Sequence, residues 1–374
     1  MKIKELAYSA QQHLQTRTGT QFKRAHIYEL LAAAFGFNSY AALSAEAVFT
    51  KHSPTSRHVP LYDGHIKLRC IEIGYPLDTA VKVASILAAQ IAEQGIGIVR
   101  LDDLIAQLLY GSGLEEWPND GKHEDWDDKE EPWVNQEEQI SPLLLDCLNV
   151  AASRNHADAH YALALIHAPA YDDFDGHEVG SDYWYRQAQD GRELTGVEKE
   201  WADAYAAKLA QDEKFMHHLR EAANQGHPEA LLELADRFND PTFFERHPLS
   251  VNVNPSRVAE IAERMGRHQD TRRWLTEAAN SGDTEAMRQL IEEYDRGDLP
   301  RCWTWVYLAK LLGTDLTQDE YIAIHEDGTP YDDDIGGPMY ASGRDGVQLS
   351  SISAQQEAKA RRGALEIFAK IQNI

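Results

Sequence analysis

Residues Trp274–Tyr294 read WLTEAANSGDTEAMRQLIEEY, and the spacing inside this stretch predicts the fold. Trp274, Ala278 and Gly282 stand four apart, and Ala286, Leu290 and Tyr294 resume that interval after Gly282-Asp283. An interval of four returns a side chain to nearly the same side of a helix, so two short helices are predicted, each with one apolar stripe. Gly282 suits the left-handed residue that ends the first helix, because it has no Cβ to clash. Asp283 suits the cap of the second, its carboxylate accepting a backbone N–H that has no helical partner. The stretch reads as a helical hairpin.

The same pattern recurs upstream. Ala222, Gly226, His227, Ala230, Leu234 and Phe238 lie 56 positions earlier, and Ala151, Asn155, His156, Ala159, Leu163 and His167 a further 71 earlier. Small residues return wherever two helix backbones must approach closely. Trp305, Ala309 and Gly313 repeat the first-helix residues 31 positions later, in WVYLAKLLG. Trp184, Ala188 and Gly191, in YWYRQAQDG, mark a degraded copy in the gap of 71. A helix pair this short cannot bury its own stripe, so copies must stack, each buried Leu or Phe contributing roughly 1.5–3 kcal/mol.

The recurring order of an aromatic or Leu, Ala-Ala, a small residue and Gly, then Ala and Leu on a second helix, resembles the Sel-one-like repeat, a relative of the tetratricopeptide repeat. The resemblance spans roughly 141–313. It implies an α-solenoid of helical hairpins whose surface binds another protein. The offset of 56 implies an insertion near 240–267, PTFFERHPLSVNVNPSRVAEIAERMGR.

With 374 residues the chain has room for two or three domains, and 43% apolar content argues against disorder. No run approaches the length of a membrane span, and the N-terminus lacks the apolar core of a secretion signal, so a cytoplasmic protein is expected. Cys70, Cys147 and Cys302 show no paired spacing and read as buried reduced thiols. The net charge of −25 is uneven: seven Lys and Arg against three Glu up to Arg57 give +4, leaving −29 for the rest. Such a surface repels polyanions, so contact with nucleic acid would fall to the first segment, with Lys23 and Arg24 as the phosphate-binding candidates. A nucleic-acid-associated regulator is therefore the alternative reading.

Residues 1–47 read as a small helical domain, with segments IKELAYSAQQHLQTR, FKRAHIYELLAAAF and SYAALSA. Glu29-Leu30, Ala32, Gly36-Phe37, Tyr40, Leu43 and Ala45 are similar to the small helical domain that accompanies some bacterial glyoxalase-related proteins, which implies no catalytic role here. A linker at 48–65 and a helical middle segment at 66–114 follow, then an acidic loop at 115–140. That loop holds eleven acidic residues between Glu115 and Glu138 and interleaves Trp117, Trp126 and Trp133. Repeats are assigned to 141–325, a Gly/Asp loop with Asp332, Asp333 and Asp334 to 326–350, and a capping helix to 351–374, with Ser353 and Gln356 as its capping box.

No H-E-x-x-H, phosphate loop, G-x-S-x-G or Cys/His metal spacing occurs. His26 and Glu29 share a turn but read as ordinary helix-start residues. His156 and His160 lie four apart, yet the alignment sets His160 with Leu231 and Met287, positions of hairpin packing. The expected protein is all-α, with no catalytic residues, no metal and no cofactor. It is a non-enzymatic scaffold for a basic protein or peptide, with Trp117, Trp126, Trp133 and Asp332–Asp334 as partner-binding candidates and Trp184, Trp274, Trp303 and Trp305 as further aromatic candidates, most of them expected in the core. A metal-assisted enzyme built on the Asp332–Asp334 loop or a His cluster is the third reading.

Overall fold

The computed structural model describes residues 1–51, 61–110, 140–169, 181–246, 254–326, 329–331 and 338–372, which form two compact units, Met1–Leu231 and Leu232–Ile374. The first unit begins with α1 (Ile3–Thr18), α2 (Arg24–Ala34) and α3 (Tyr40–Glu46). On α1 the residues Leu6, Ala7, Ala10 and Leu14 are buried, the stripe that helical periodicity dictates. Next come α4 (Asp63–Glu72), α5 (Leu77–Glu93), α6 (Leu101–Tyr110), α7 (Pro142–Ala152) and α8 (Ala157–Ile166). Leu14, Leu31, Ile66, Leu87, Leu148 and Leu163 belong to one hydrophobic core, so the first three helices share their interior with those that follow. The Ile3 backbone N–H donates to Asp146 on α7, tying the two ends of this core together.

Two helices close the unit: α9 (Asp182–Gln189) and the 28-residue α10 (Val197–Asn224), which packs on both α8 and α9. In the degraded copy, Trp184 lies on α9 and Gly191 turns the chain at φ 89°. The long α10 runs without a break from Val197 to Asn224, up to the turn at Gly226.

The second unit holds most of α11 (Pro228–Phe238), then α12 (Thr242–Arg246), α13 (Pro255–Arg264), α14 (His268–Asn280) and α15 (Thr284–Gln289). A π turn over Leu290–Tyr294 leads to α16 (Leu299–Leu311), and α17 (Ala354–Ile371) closes the chain. Neighbours in sequence pack in turn, α13 on α14, α14 on α15, and α16 on α17. Where it is described, the expected insertion is therefore helical, and α13 covers α14.

Three turn positions that align in the sequence share one backbone conformation. Asn155, Gly226 and Gly282 all have positive φ, at 61°, 90° and 103°. Asp283 accepts from the N–H groups of Glu285 and Ala286 at 2.9 and 3.0 Å, and His227 occupies the equivalent place by accepting from the Ala230 N–H at 3.3 Å. Ser353 and Gln356 form their capping box at the start of α17.

The described residues are mostly helical, but β1 (Ala47–Lys51) pairs antiparallel with β2 (Ile96–Arg100), and β3 (Glu320–Ile324) with β4 (Tyr340–Arg344). Residues 48–51, read as the start of a linker, are thus strand, with Val48 and Phe49 buried. Part of the expected Gly/Asp loop is strand as well, and this ribbon follows α16 where the repeat would have a second helix. Gly343 allows the pairing: a Cβ there would sit 1.9 Å from the Glu320 carbonyl oxygen.

All three cysteines are buried and unpaired. Burial pushes the thiols of Cys70 and Cys302 up to about 11 and that of Cys147 to about 12, so none supplies a thiolate near neutral pH. Among the described residues no helix is long and apolar enough to cross a membrane.

Candidate binding groove

The second unit carries an open groove of about 400 Å³ walled by α14, α16 and α17. Each wall is positioned by its own buried face. Leu275, Ala278 and Ala279 seat α14, and Cys302, Val306, Leu308 and Ala309 seat α16. Ala360 and Ala364 let α17 approach, and a Cβ on Gly363 would already lie 3.4 Å from Thr304 on α16. Thr276 and Asn280 then face the groove from α14, Arg301, Thr304 and Trp305 from α16, and Lys359 and Ile367 from α17.

Asp295, just past the π turn, holds this arrangement in place. Its N–H donates to the Leu290 carbonyl at 2.7 Å, closing the wide turn, and its carboxylate is buried. One carboxylate oxygen accepts from Arg272 Nε and Nη2 at 3.0 and 2.7 Å. The other accepts from the Trp305 indole N–H at 3.1 Å and stands 2.9 Å from Arg301 Nε in an ion pair. The Cys302 thiol donates to the Asp295 backbone carbonyl at 3.0 Å. A buried carboxylate needs such pairing, because leaving it unpaired costs several kcal/mol, on the order of 3–5.

Arg301 is consequently held rigid, and its Nη2 also donates to Thr276 Oγ1 at 3.2 Å across the groove. Its charge is offset by Asp295, which leaves Lys359 as the exposed cation of the lining and Asp298 as the anion at its edge. The lining combines the edge of the largely buried Trp305 with aliphatic Ile367, beside the Asn280 amide and the Lys359 ammonium as donors, while the Thr276 and Thr304 hydroxyls already donate to the carbonyls of Arg272 and Pro300. Such a surface can hold an extended peptide by its carbonyl oxygens and one apolar side chain.

The sequence-predicted candidates fall in several places. Trp117, Trp126, Trp133 and Asp332, Asp333 and Asp334 lie outside the described residues. Lys23 and Arg24 are exposed at the start of α2, with the Arg24 guanidinium 5.7 Å from the Tyr8 ring centre. His26 and Glu29 are engaged separately, His26 with the Tyr75 hydroxyl at 2.9 Å and Glu29 with Arg69 at 2.5 Å. Trp274 is buried, with its ring centre 6.1 Å from that of Phe243. Trp303 donates to the Ser350 carbonyl at 3.0 Å and stacks near Tyr307. Trp184 carries Arg192 over its ring at 4.8 Å. Of these aromatics, Trp305 lines the groove.

Sequence reasoning missed Asn280, Arg301, Lys359 and Asp295. Arg301 had a signal, since it stands one helical turn before Trp305, whereas Asp295 beyond the end of a repeat copy had none. Compared with known proteins, the chain matches no family model, no curated protein and no solved structure.

Proposed function

We propose that the protein is a non-enzymatic scaffold of Sel-one-like helical hairpins stacked as a solenoid, and that it binds an extended segment of a basic partner protein in the groove between α14, α16 and α17. The observation that carries this reading is the groove itself, a preformed concavity in which buried Asp295 fixes a donor-bearing side chain beside an indole. Recurrence of the left-handed turn at Asn155, Gly226 and Gly282 supports the repeat assignment. The charge of −25 supports a basic partner, drawn in by long-range attraction before groove contacts select it.

The test is affinity capture from an extract of the protein's own cells at low and high salt, run beside an Asn280→Trp variant that fills the groove from its exposed rim. A specific partner retained by the wild type, weakened by salt and lost in the variant, bears the proposal out. Equal capture by both proteins removes the groove from the binding site, and salt-insensitive capture removes the electrostatic part.

A further inference from the structure

Four imidazoles gather where α8 meets α10 in the first unit: His160 on α8, His167 at its C-cap, and His217 and His218 on α10. Nδ1 of His160 lies 3.0 Å from Nδ1 of His218, and ring centres are 5.2 Å apart for His160–His218, 5.0 Å for His217–His218 and 6.3 Å for His160–His217. Packing alone does not call for these residues. The aligned copies place buried Leu231 and Met287 at the position of His160, and Cys147 and Trp274 at that of His218. Two positions that other copies fill with apolar or sulfur-bearing side chains are both His here, and they meet each other.

We infer that this seam binds one late first-row divalent cation of the zinc class, through Nδ1 of His160 and of His218, with His217 turning in as a third ligand. The distances suit it. The point equidistant from the three ring centres is about 3.2 Å from each, the separation given by a metal–nitrogen bond of about 2.0–2.1 Å plus the radius of an imidazole. Two nitrogens on one such ion stand roughly 3.3 Å apart, so the 3.0 Å contact has to open only slightly.

Among the described residues no three His, Cys, Asp or Glu side chains already converge on one point, so the third ligand must move. His217 is exposed, whereas His160 is buried. Binding needs a change of tautomer: the N–H shared between the two Nδ1 atoms shifts to Nε2, and both lone pairs face the ion. Burial, reinforced by His160, His217, His167 and Lys214, holds His218 down to about 4, and burial likewise lowers His160. Glu221, one turn beyond His217 and His218, adds a compensating negative charge near His160, while Lys214 opposes it from the preceding turn.

The experiment is equilibrium dialysis of the full chain, freed of metal by chelator, against Zn²⁺ alone, with circular dichroism confirming that each variant is folded. One zinc per chain is expected, raising the melting temperature. Affinity should fall roughly tenfold or more in His217→Ala, which changes an exposed side chain, or in His160→Asn, which keeps a polar group in the seam. Loss of affinity in either folded variant supports the assignment. No uptake by the wild type, or uptake unchanged in both variants, overturns it.

Discussion

Replacing Asp295 by Asn keeps the side-chain volume and removes the charge that three N–H donors and the Arg301 guanidinium share. Removing one partner of a buried ion pair costs about 3–5 kcal/mol where the remaining charge stays buried. Here the side chains of Arg272 and Arg301 are 47% and 36% exposed, so both can regain water and that cost falls to about 2 kcal/mol. The Asn amide keeps one acceptor oxygen, so either Arg272 or the buried Trp305 N–H comes to face an NH2 group instead, which adds about 1 kcal/mol. Asp295→Asn should therefore destabilise the second unit by about 3 kcal/mol, lowering its melting temperature by about 10 °C. Trp305→Phe, which removes only the indole donor and some area, should cost less than half of that. Urea unfolding followed by tryptophan fluorescence and far-UV circular dichroism measures both. A loss below about 1 kcal/mol for Asp295→Asn would refute the idea that this carboxylate fixes the groove, because it would mean that water serves the donors equally well.

Acid should act on Asp236, whose carboxylate accepts from Arg257 at 3.1 Å and from Arg264. Burial raises its pKa, but the two guanidiniums lower it further and leave it below the usual carboxylate value. A depressed folded pKa means stability that is full above the unfolded value of about 3.9 and lost as pH falls through the folded one, so wild type should lose stability more steeply than Asp236→Asn below about pH 4. Unfolding free energies measured from pH 6 to 3 check this. Ala at Gly282, where φ is 103°, should cost about 1 kcal/mol or more through backbone strain, read as a drop in urea midpoint at unchanged slope. Ser353→Ala removes half of a capping box and should cost about 1 kcal/mol, with fraying of α17 visible as faster amide exchange in its first turn.

What the sequence determined alone was local. Positive φ at Asn155, Gly226 and Gly282 and the cap at Asp283 depend on residues within a few positions of one another, so spacing and residue type were enough to place the turns. The stripe of α14 and the capping box of α17 were legible for the same reason. Trp305 was readable as a repeat residue, which is why one member of the groove was named in advance. The rest required distant residues to meet. Pairing of Ala47–Lys51 with Ile96–Arg100 joins segments far apart in sequence, and no local spacing names the partner of a strand. Lys359 reaches the groove only because α17 packs back on α16, and His160 meets His218 only because α10 packs on α8. Asp295 is an ordinary surface-type residue in the chain and becomes the fixed point of a site when folding buries it among Arg272, Arg301 and Trp305. Burial and the pairing that must accompany it are properties of the packed chain, which no local spacing encodes.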